Sequence, residues 1–135
     1  TSEEEKLPVS DRRLWLFVKC EDESVGDDHE VLRLPAVAYL SDSIFFTRLA
    51  RILRIEVDQE KIIHYKSASL DHTIYFHDTD YDPTQYLSFA FNAIRMGLDR
   101  VLLEGEIYNS NGDHVVSVVQ EGLVKFGGLE KYAKR

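Results

Sequence analysis

The amino-acid sequence predicts an α+β domain in which one long helix packs against a single antiparallel sheet. Three observations support this class. The length of 135 residues suits one hydrophobic core, one long apolar segment has helical spacing, and several aromatic and β-branched segments are separated by short polar connections. Hydrophobic residues make up 44% of the chain and charged residues 30%, as is ordinary for a soluble globular protein.

The sequence divides into a central domain with short polar ends. Residues 1–10 are polar and acidic and contain Pro8, so we expect a linker or tail there. The domain is predicted to span residues 11–128, and residues 129–135 are predicted to form a basic tail.

Within the domain, the predicted order is strand, helix and four strands. Pro35 suits the first turn of a helix, where its missing N–H is not needed, and Asn111-Gly112 suits a tight primed hairpin turn. The predicted elements are a strand at Leu14–Cys20, a helix from Pro35 to about Ile52, and strands at Ser69–His77, Tyr86–Met96, Arg100–Asn109 and His114–Phe126. Because short connections place consecutive strands side by side, the helix must cover one face of a curved sheet, which is the hotdog layout.

Charge and composition argue against several functions. The net charge of -8 repels phosphate backbones, and Arg48, Arg51 and Arg54 are spread along the apolar helix instead of forming a basic face. No apolar run reaches the length of a membrane span, and the acidic N-terminus is unlike a secretory signal. Cys20 is the only cysteine, which rules out an internal disulfide and fits a reducing compartment. We predict neither a nucleic-acid partner nor a membrane span.

The most informative motif is Ser69–His77, which places a hydroxyl, a carboxylate and two imidazoles on one short strand. A purely structural strand needs no such polarity. The alternative is a half-exposed strand in which His72 is satisfied by a hydrogen bond and these residues lie on the wet face: Ser69, Asp71, Thr73 and His77.

A second polar feature is Asp42, which lies inside the apolar helix. Burial of an unpaired carboxylate is costly and would raise its pKa toward that of a useful general base. The alternatives are that Ser41 or Ser43 caps the carboxylate, or that Asp42 faces a partner surface.

A third feature is Gln120, which shares strand parity with Val118 and Val124 and should therefore point to the apolar face. An amide buried there needs hydrogen-bond partners. Gly122 on the same face leaves room for a group to approach the backbone, although a bulge would explain it equally well.

Metal binding is not predicted. Asp78-Thr-Asp80-Tyr-Asp82 begins like a calcium loop, but Pro83 occupies the position of the required Gly and Phe89 that of the final Glu. The run is therefore predicted to be a solvated loop. His72 and His77 should point to opposite faces of their strand, which does not suit zinc.

Three segments of the chain resemble, in the same order, the C-terminal half of the type II acyl-CoA thioesterases, which are double-hotdog enzymes. The segments are Tyr39-Leu-Ser-Asp42, Ser69–His77 and Val118-Val-Gln-Glu-Gly-Leu-Val-Lys125. The resemblance implies hydrolysis of fatty acyl-CoA without a cofactor. It assigns Asp42, Ser69 and Gln120 to the attacking water, with Asp42 as general base and the other two fixing the position of that water. Backbone N–H groups near the helix start would hold the oxyanion.

The full enzymes of that family carry a first hotdog that shares the acyl channel. The resemblance therefore implies that the chain pairs with an N-terminal hotdog half or with itself as a homodimer. After His77 the family usually has a basic residue, Pro and Phe, whereas this chain has Asp78-Thr-Asp80-Tyr81, which points to a different substrate-facing loop.

Two rival functions and a location complete the predictions. A non-catalytic hotdog that pairs through its sheet would need the polar residues only for structure. A hydratase of the same fold is less well supported, because no Asn-Pro-(aliphatic)-His segment follows an Asp. Eukaryotic members of the family are often peroxisomal and Ala133-Lys134-Arg135 partly matches a peroxisomal address, so we expect a peroxisomal enzyme in a eukaryote and a cytoplasmic one otherwise.

Overall fold

The computed structural model describes residues 6–21, 29–52 and 65–126. A short 3-10 helix at Val9–Asp11 leads into β1, and the remaining elements follow as one helix and four strands. Their bounds are β1 Leu14–Val18, α1 His29–Ile52, β2 Tyr65–Phe76, β3 Leu87–Gly97, β4 Arg100–Tyr108 and β5 His114–Phe126. Residues 1–5 of the predicted linker, Arg54, and the predicted tail at 129–135 lie outside the described residues.

All five strands belong to one antiparallel sheet in the order β1-β3-β4-β5-β2. The three consecutive strands β3, β4 and β5 form its centre, so the connection through α1 carries the chain from one edge of the sheet, β1, to the other, β2. A five-stranded antiparallel sheet packed against one long helix is the predicted hotdog layout. None of the described helices is both long and apolar enough to cross a membrane.

The core lies between α1 and the face of the sheet that packs against it. Phe45, Phe46 and Leu49 of the helix are buried against sheet residues that include Phe89 and Phe91. The rings of Phe45 and Phe91 stack with centroids 4.9 Å apart, an offset geometry that adds to the burial of apolar area.

Two glycines let the helix approach the sheet closely. A methyl group added at Gly105 would collide with the Phe45 ring, and one added at Gly122 would collide with the Phe46 ring. The room that the sequence predicted beside Gly122 is therefore filled by a side chain of the protein's own helix.

Several predicted boundaries were wrong. The helix begins at His29, so Pro35 lies inside it and not in its first turn. Pro35 and Val31, whose carbonyl loses its helical partner to the proline ring, are both exposed, so water can replace that bond. β1 ends at Val18, and the Cys20 N–H donates to the Pro83 carbonyl at 2.7 Å, outside the β1–β3 ladder. β2 begins at Tyr65, before the predicted Ser69.

The prediction of a primed turn at Asn111-Gly112 was also wrong. Only Gly112 has a positive φ there, 88°, and its N–H donates to the Asn109 carbonyl at 3.0 Å, so the β4–β5 connection is longer and less tight than predicted. The primed geometry is found instead between β3 and β4, where Leu98 and Asp99 have φ of 52° and 59°. Sequence rules miss that turn because Leu98 is a residue type that rarely adopts the left-handed region, although Asp tolerates it.

Candidate active site

The three residues predicted to form the site meet at one point. The Gln120 side-chain Nε2 donates to Asp42 Oδ1 at 2.6 Å and to Ser69 Oγ at 3.1 Å. These residues come from β5, α1 and β2 respectively. A single amide therefore joins a carboxylate on the helix to a hydroxyl on the edge strand.

Gln120 points into the protein because of its position in β5. Val116, Val118 and Val124, which share its parity, are buried, and Gln120 itself is fully buried, as predicted. A carboxylate only accepts hydrogen bonds, so the contact with Asp42 fixes Nε2 as the atom that faces it. The other amide atom, Oε1, is buried and has no hydrogen-bond partner among the described residues.

Ser69 reaches the site because β2 contains a bulge. Ser69 pairs with Gly122 and Asp71 pairs with Glu121, so one residue of β2, Leu70, is left without a partner. This extra residue shifts the alternation and turns Ser69 to the face of Gln120, while Asp71 points to the opposite face. The alternative was right that Ser69 is exposed together with Asp71 and His77. It was wrong only about the direction of Ser69, which the bulge turns to the helix side of the strand while Asp71 faces outward.

Asp42 is more exposed than we predicted from the apolar residues around it in the sequence. Its side chain is 57% exposed, because it lies on α1 near β2, an edge strand of the sheet that no other strand among the described residues covers. The expected desolvation is therefore wrong for this chain. The serine capping alternative is not seen either, since the Ser41 and Ser43 hydroxyls donate to the backbone carbonyls of Ala38 and Tyr39.

His72 also reaches the site, which the sequence analysis missed. Its Nε2 lies 3.1 Å from Ser41 Oγ, which fulfils the predicted hydrogen bond, and its Nδ1 lies 4.0 Å from Asp42 Oδ1. His72 pairs with Gln120 across the β2–β5 ladder, so both side chains face the helix. Strand parity already places His72 on the helix side with Ile74, because the bulge lies before Asp71. Parity does not tell which helix residues lie opposite His72, and this is why the contact with Ser41 and Asp42 was missed.

His77 belongs to a separate cluster on the outer face of the sheet. Its Nε2 lies 2.8 Å from Ser117 Oγ, and the His114 Nε2 lies 3.0 Å from the same oxygen. His72 and His77 therefore point to opposite faces, as predicted. Beside this cluster, the hydrogen bond that the Tyr108 hydroxyl donates to Glu106 raises the pKa of Tyr108. Across 6–21, 29–52 and 65–126, no three His, Cys, Asp or Glu side chains gather as a metal site.

The acidic loop after β2 uses its carboxylates to hold its own backbone. Asp78 Oδ1 accepts from the Asp80 N–H at 2.9 Å, and Asp82 Oδ1 accepts from the Thr84 N–H at 2.8 Å. These are local turn contacts of the kind that Asp commonly makes. The loop is only partly solvated, because Tyr81 is buried, and that burial raises the pKa of its hydroxyl to about 12.

Comparisons with known proteins agree with the fold and with the resemblance seen in the sequence. The profile of the acyl-CoA thioesterase C-terminal domain family matches residues 2–124. The peroxisomal acyl-coenzyme A thioester hydrolase 1 of Saccharomyces cerevisiae is 29% identical over an alignment of 121 residues, and the match covers 78% of this chain and 33% of the yeast protein.

Two solved structures share the fold. The acyl-CoA thioesterase II TesB2 from Mycobacterium marinum superposes with a TM-score of 0.64 at 24% identity, covering 90% of this chain and 44% of that one. A tesB protein from Mycobacterium avium subsp. paratuberculosis gives 0.61 at 21% identity, covering 84% and 41%. The likenesses confirm the predicted hotdog fold, and the chain spans less than half the length of these proteins.

Proposed function

Because the chain belongs to the acyl-CoA thioesterase C-terminal domain family, we propose that it supplies the water-activating residues of an enzyme that hydrolyses acyl-CoA to a carboxylic acid and free CoA. The observation that carries this proposal is the meeting of Asp42, Ser69 and Gln120 through one buried amide. A structural role alone does not require a carboxylate, an amide and a hydroxyl from three separate elements to share hydrogen bonds.

The hydrogen bonds leave two groups available to hold water. Gln120 spends one amide proton on Asp42 Oδ1, and Oδ2 has no hydrogen-bond partner in the described part of the chain. The other amide proton goes to Ser69 Oγ, so the Ser69 hydroxyl keeps its own proton to donate. A water placed between them accepts from Ser69 and donates to Asp42 Oδ2.

Hydrolysis then follows by general-base catalysis. As the water oxygen bonds to the thioester carbonyl carbon, Asp42 takes one of its protons. The tetrahedral intermediate collapses, the carbon–sulfur bond breaks, and the CoA sulfur leaves with that pair of electrons and receives a proton. No covalent acyl-enzyme is needed. A positioned base of this kind typically contributes about 10²- to 10⁴-fold to the rate, while Ser69 and Gln120 reduce the entropy lost in holding the water.

The exposure of the site supports a second hotdog domain as partner. Asp42 is 57% exposed, and β2 presents one whole side of its backbone at the sheet edge. A strand edge of this length is a ready template for pairing with another strand. We propose that an N-terminal hotdog half, or a second copy of the chain, pairs along β2 and closes the acyl channel over Asp42 and Ser69.

The substrate is proposed to be a fatty acyl-CoA, and the peroxisome is the proposed location in a eukaryote. An acyl-CoA substrate is supported by the family and by the printed name of the yeast relative, and the peroxisome by that name alone. The fatty acyl chain is what the sequence resemblance implies. The rival reading, a non-catalytic pairing domain, also explains the open edge of β2. It does not explain why the buried Gln120 amide donates hydrogen bonds to both Asp42 and Ser69. These hydrogen bonds favour the catalytic interpretation.

The test is thiol release from medium- and long-chain acyl-CoA, measured for the chain alone and for the chain joined to an N-terminal hotdog half. Asp42→Asn should lower the rate at least about 10²-fold. The matched control is Asp71→Asn, the same chemical change on the outward side of β2, which should leave the rate unchanged.

Each outcome separates the two readings. Turnover that is lost with Asp42→Asn but kept with Asp71→Asn supports catalysis, whether it needs the second half or not. Turnover that is indifferent to Asp42 contradicts the mechanism, and no turnover in either preparation favours the pairing domain.

A further inference from the structure

His72 lies where it can exchange a proton with Asp42, and the neighbouring hydrogen bonds define which ring nitrogen is available. Ser41 Oγ donates its only proton to the Ala38 carbonyl at 2.9 Å. It can therefore only accept from His72 Nε2, which lies 3.1 Å away. Satisfying both contacts requires the neutral imidazole to carry its proton on Nε2 and leaves a lone pair on Nδ1.

That lone pair faces the carboxylate. His72 Nδ1 lies 4.0 Å from Asp42 Oδ1, a pair of acceptors that repel each other unless a proton lies between them. The Asp42 side chain is mostly exposed and the imidazole is anchored on buried Ser41. A small rotation of the carboxylate is therefore enough to bring the two atoms into hydrogen-bond range once one of them is protonated.

The surroundings of His72 leave Asp42 as its proton partner. Among the described residues, Asp42 is the only acidic side chain within 4.0 Å of the imidazole. The group opposite His72 on β5 is the uncharged amide of Gln120, whereas Asp71 and Glu121 belong to the pair on the opposite face.

We propose that His72 is a positioning residue for the thioesterase reaction, one that holds at Nδ1 the proton that Asp42 removes from water. This inference rests on the proposed function. The proton passes from water to Asp42 Oδ2 as the oxygen–carbon bond forms. Rotation of the exposed carboxyl group about its Cβ–Cγ bond then turns Oδ2 toward His72 Nδ1, which takes the proton and gives an imidazolium beside a carboxylate, while Oδ1 leaves Gln120 for the time of the transfer. When the carbon–sulfur bond breaks, the proton returns through Asp42 to the departing thiolate, so both residues regain their starting forms.

The pairing of His72 with Asp42 explains how Asp42 can act as a general base although its side chain is exposed to water. An imidazolium paired with the carboxylate keeps the transferred proton within the site, since a proton held on Asp42 alone would be shared with solvent. Ser41 then matters for catalysis although it touches no substrate, because it fixes the ring orientation and the tautomer.

The test compares His72→Gln with His77→Gln in the preparation that shows wild-type turnover. Gln at 72 keeps an N–H for Ser41 but has no nitrogen that accepts a proton, and His77→Gln makes the same change in the outer-face cluster. We expect His72→Gln to lower kcat roughly tenfold or more with KM changed less than about twofold, and His77→Gln to resemble wild type.

A second measurement does not depend on turnover, and its main result comes from the wild-type chain. Nitrogen-15 NMR of the wild-type chain, labelled at the histidine rings, should show neutral His72 with its proton on Nε2, and Ser41→Ala should turn this into a mixture of tautomers. A wild-type proton on Nδ1 overturns the proposal. Turnover that needs Asp42 but ignores His72→Gln also overturns it and leaves the proposed function intact, whereas turnover indifferent to Asp42 overturns both.

Discussion

Gly122 couples the packing of the helix to the geometry of the site, and Gly122→Ala is the substitution that tests this coupling. Gly122 pairs with Ser69 and lies two residues beyond Gln120 on β5. Its backbone is covered by the Phe46 ring, and Phe46 follows Asp42 by one helical turn on the same side of α1. A methyl group at Gly122 therefore pushes on the part of the helix that carries Asp42.

The size of the effect follows from the distances. Even the farther ring carbon of Phe46, Cε2, would lie 3.1 Å from the added methyl group, against an optimum of about 3.5–4.0 Å between carbons. The ring carbons Cζ and Cε1 would lie closer still, so the ring must retreat by roughly 1 Å or more. Overpacking of this kind costs about 1–3 kcal/mol of unfolding free energy, which corresponds to a fall in Tm of roughly 4 °C per kcal/mol.

The same displacement should affect catalysis. Asp42 Oδ1 and Gln120 Nε2 are 2.6 Å apart, and a shift of about 0.5–1 Å moves them to the limit of the hydrogen-bond range. A misplacement of this size is expected to lower kcat by about 10- to 100-fold. Thermal unfolding and thiol release, measured on the same preparation, check the two parts together.

Gly97→Ala is the matched control. Gly97 has no atom within 4 Å of an added methyl group, and its φ is not in the left-handed region. Its replacement should change stability by no more than about 1 kcal/mol and leave the rate unchanged. If Gly122→Ala behaves like Gly97→Ala in both assays, the close contact between Phe46 and β5 is not real and the coupling is refuted.

Three further predictions concern single features. Gln120→Leu should lower thioesterase kcat roughly 10²-fold. It should change the unfolding free energy by about 1 kcal/mol or less, because water can replace the amide as hydrogen-bond partner of the exposed Asp42 and Ser69 side chains. A large loss of stability in urea unfolding would contradict this. The Tyr81 pKa is raised from 10.0 to about 12 in the folded chain, so its contribution to stability is complete below pH 10 and lost as pH rises to about 12. Unfolding curves across that range should lose this pH dependence in Tyr81→Phe. The double substitution Leu98→Asn and Asp99→Gly should stabilise the chain by about 1 kcal/mol, because it relieves two positive φ angles in the β3–β4 turn; unchanged stability would argue against that turn geometry.

Much of the architecture could be predicted because the signals are local. The alternation of valines around Gln120 placed its amide on the buried face, and His114–Phe126 was predicted with the bounds that β5 has. Helical spacing identified α1, although its start was missed because Pro35 suits a first turn better than an interior position. The site residues were assigned from a resemblance, and their meeting is a property of the three-dimensional structure.

The remaining features depend on contacts between segments that are distant in sequence. The exposure of Asp42 is set by the position of α1 at the β2 edge, and no local pattern reveals which strand lies at an edge. The approach of His72 to Ser41 depends on how the helix crosses β2. The left-handed residues Leu98 and Asp99 are imposed by the β3–β4 pairing, which overrides their own preferences.

The bulge at Leu70 makes the site far more sensitive to the number of residues in β2 than to their identity. A substitution at this position changes one side chain. Deletion of the residue would restore the regular alternation of side chains in β2. The side chains on one side of the bulge would then switch between the helix-facing and the outer face, so that either Ser69 or His72 leaves the helix-facing side. Variation among related sequences is therefore expected to proceed here by exchange of side chains, and an alignment that closes or opens a gap at this point would pair the wrong serine or histidine with Gln120.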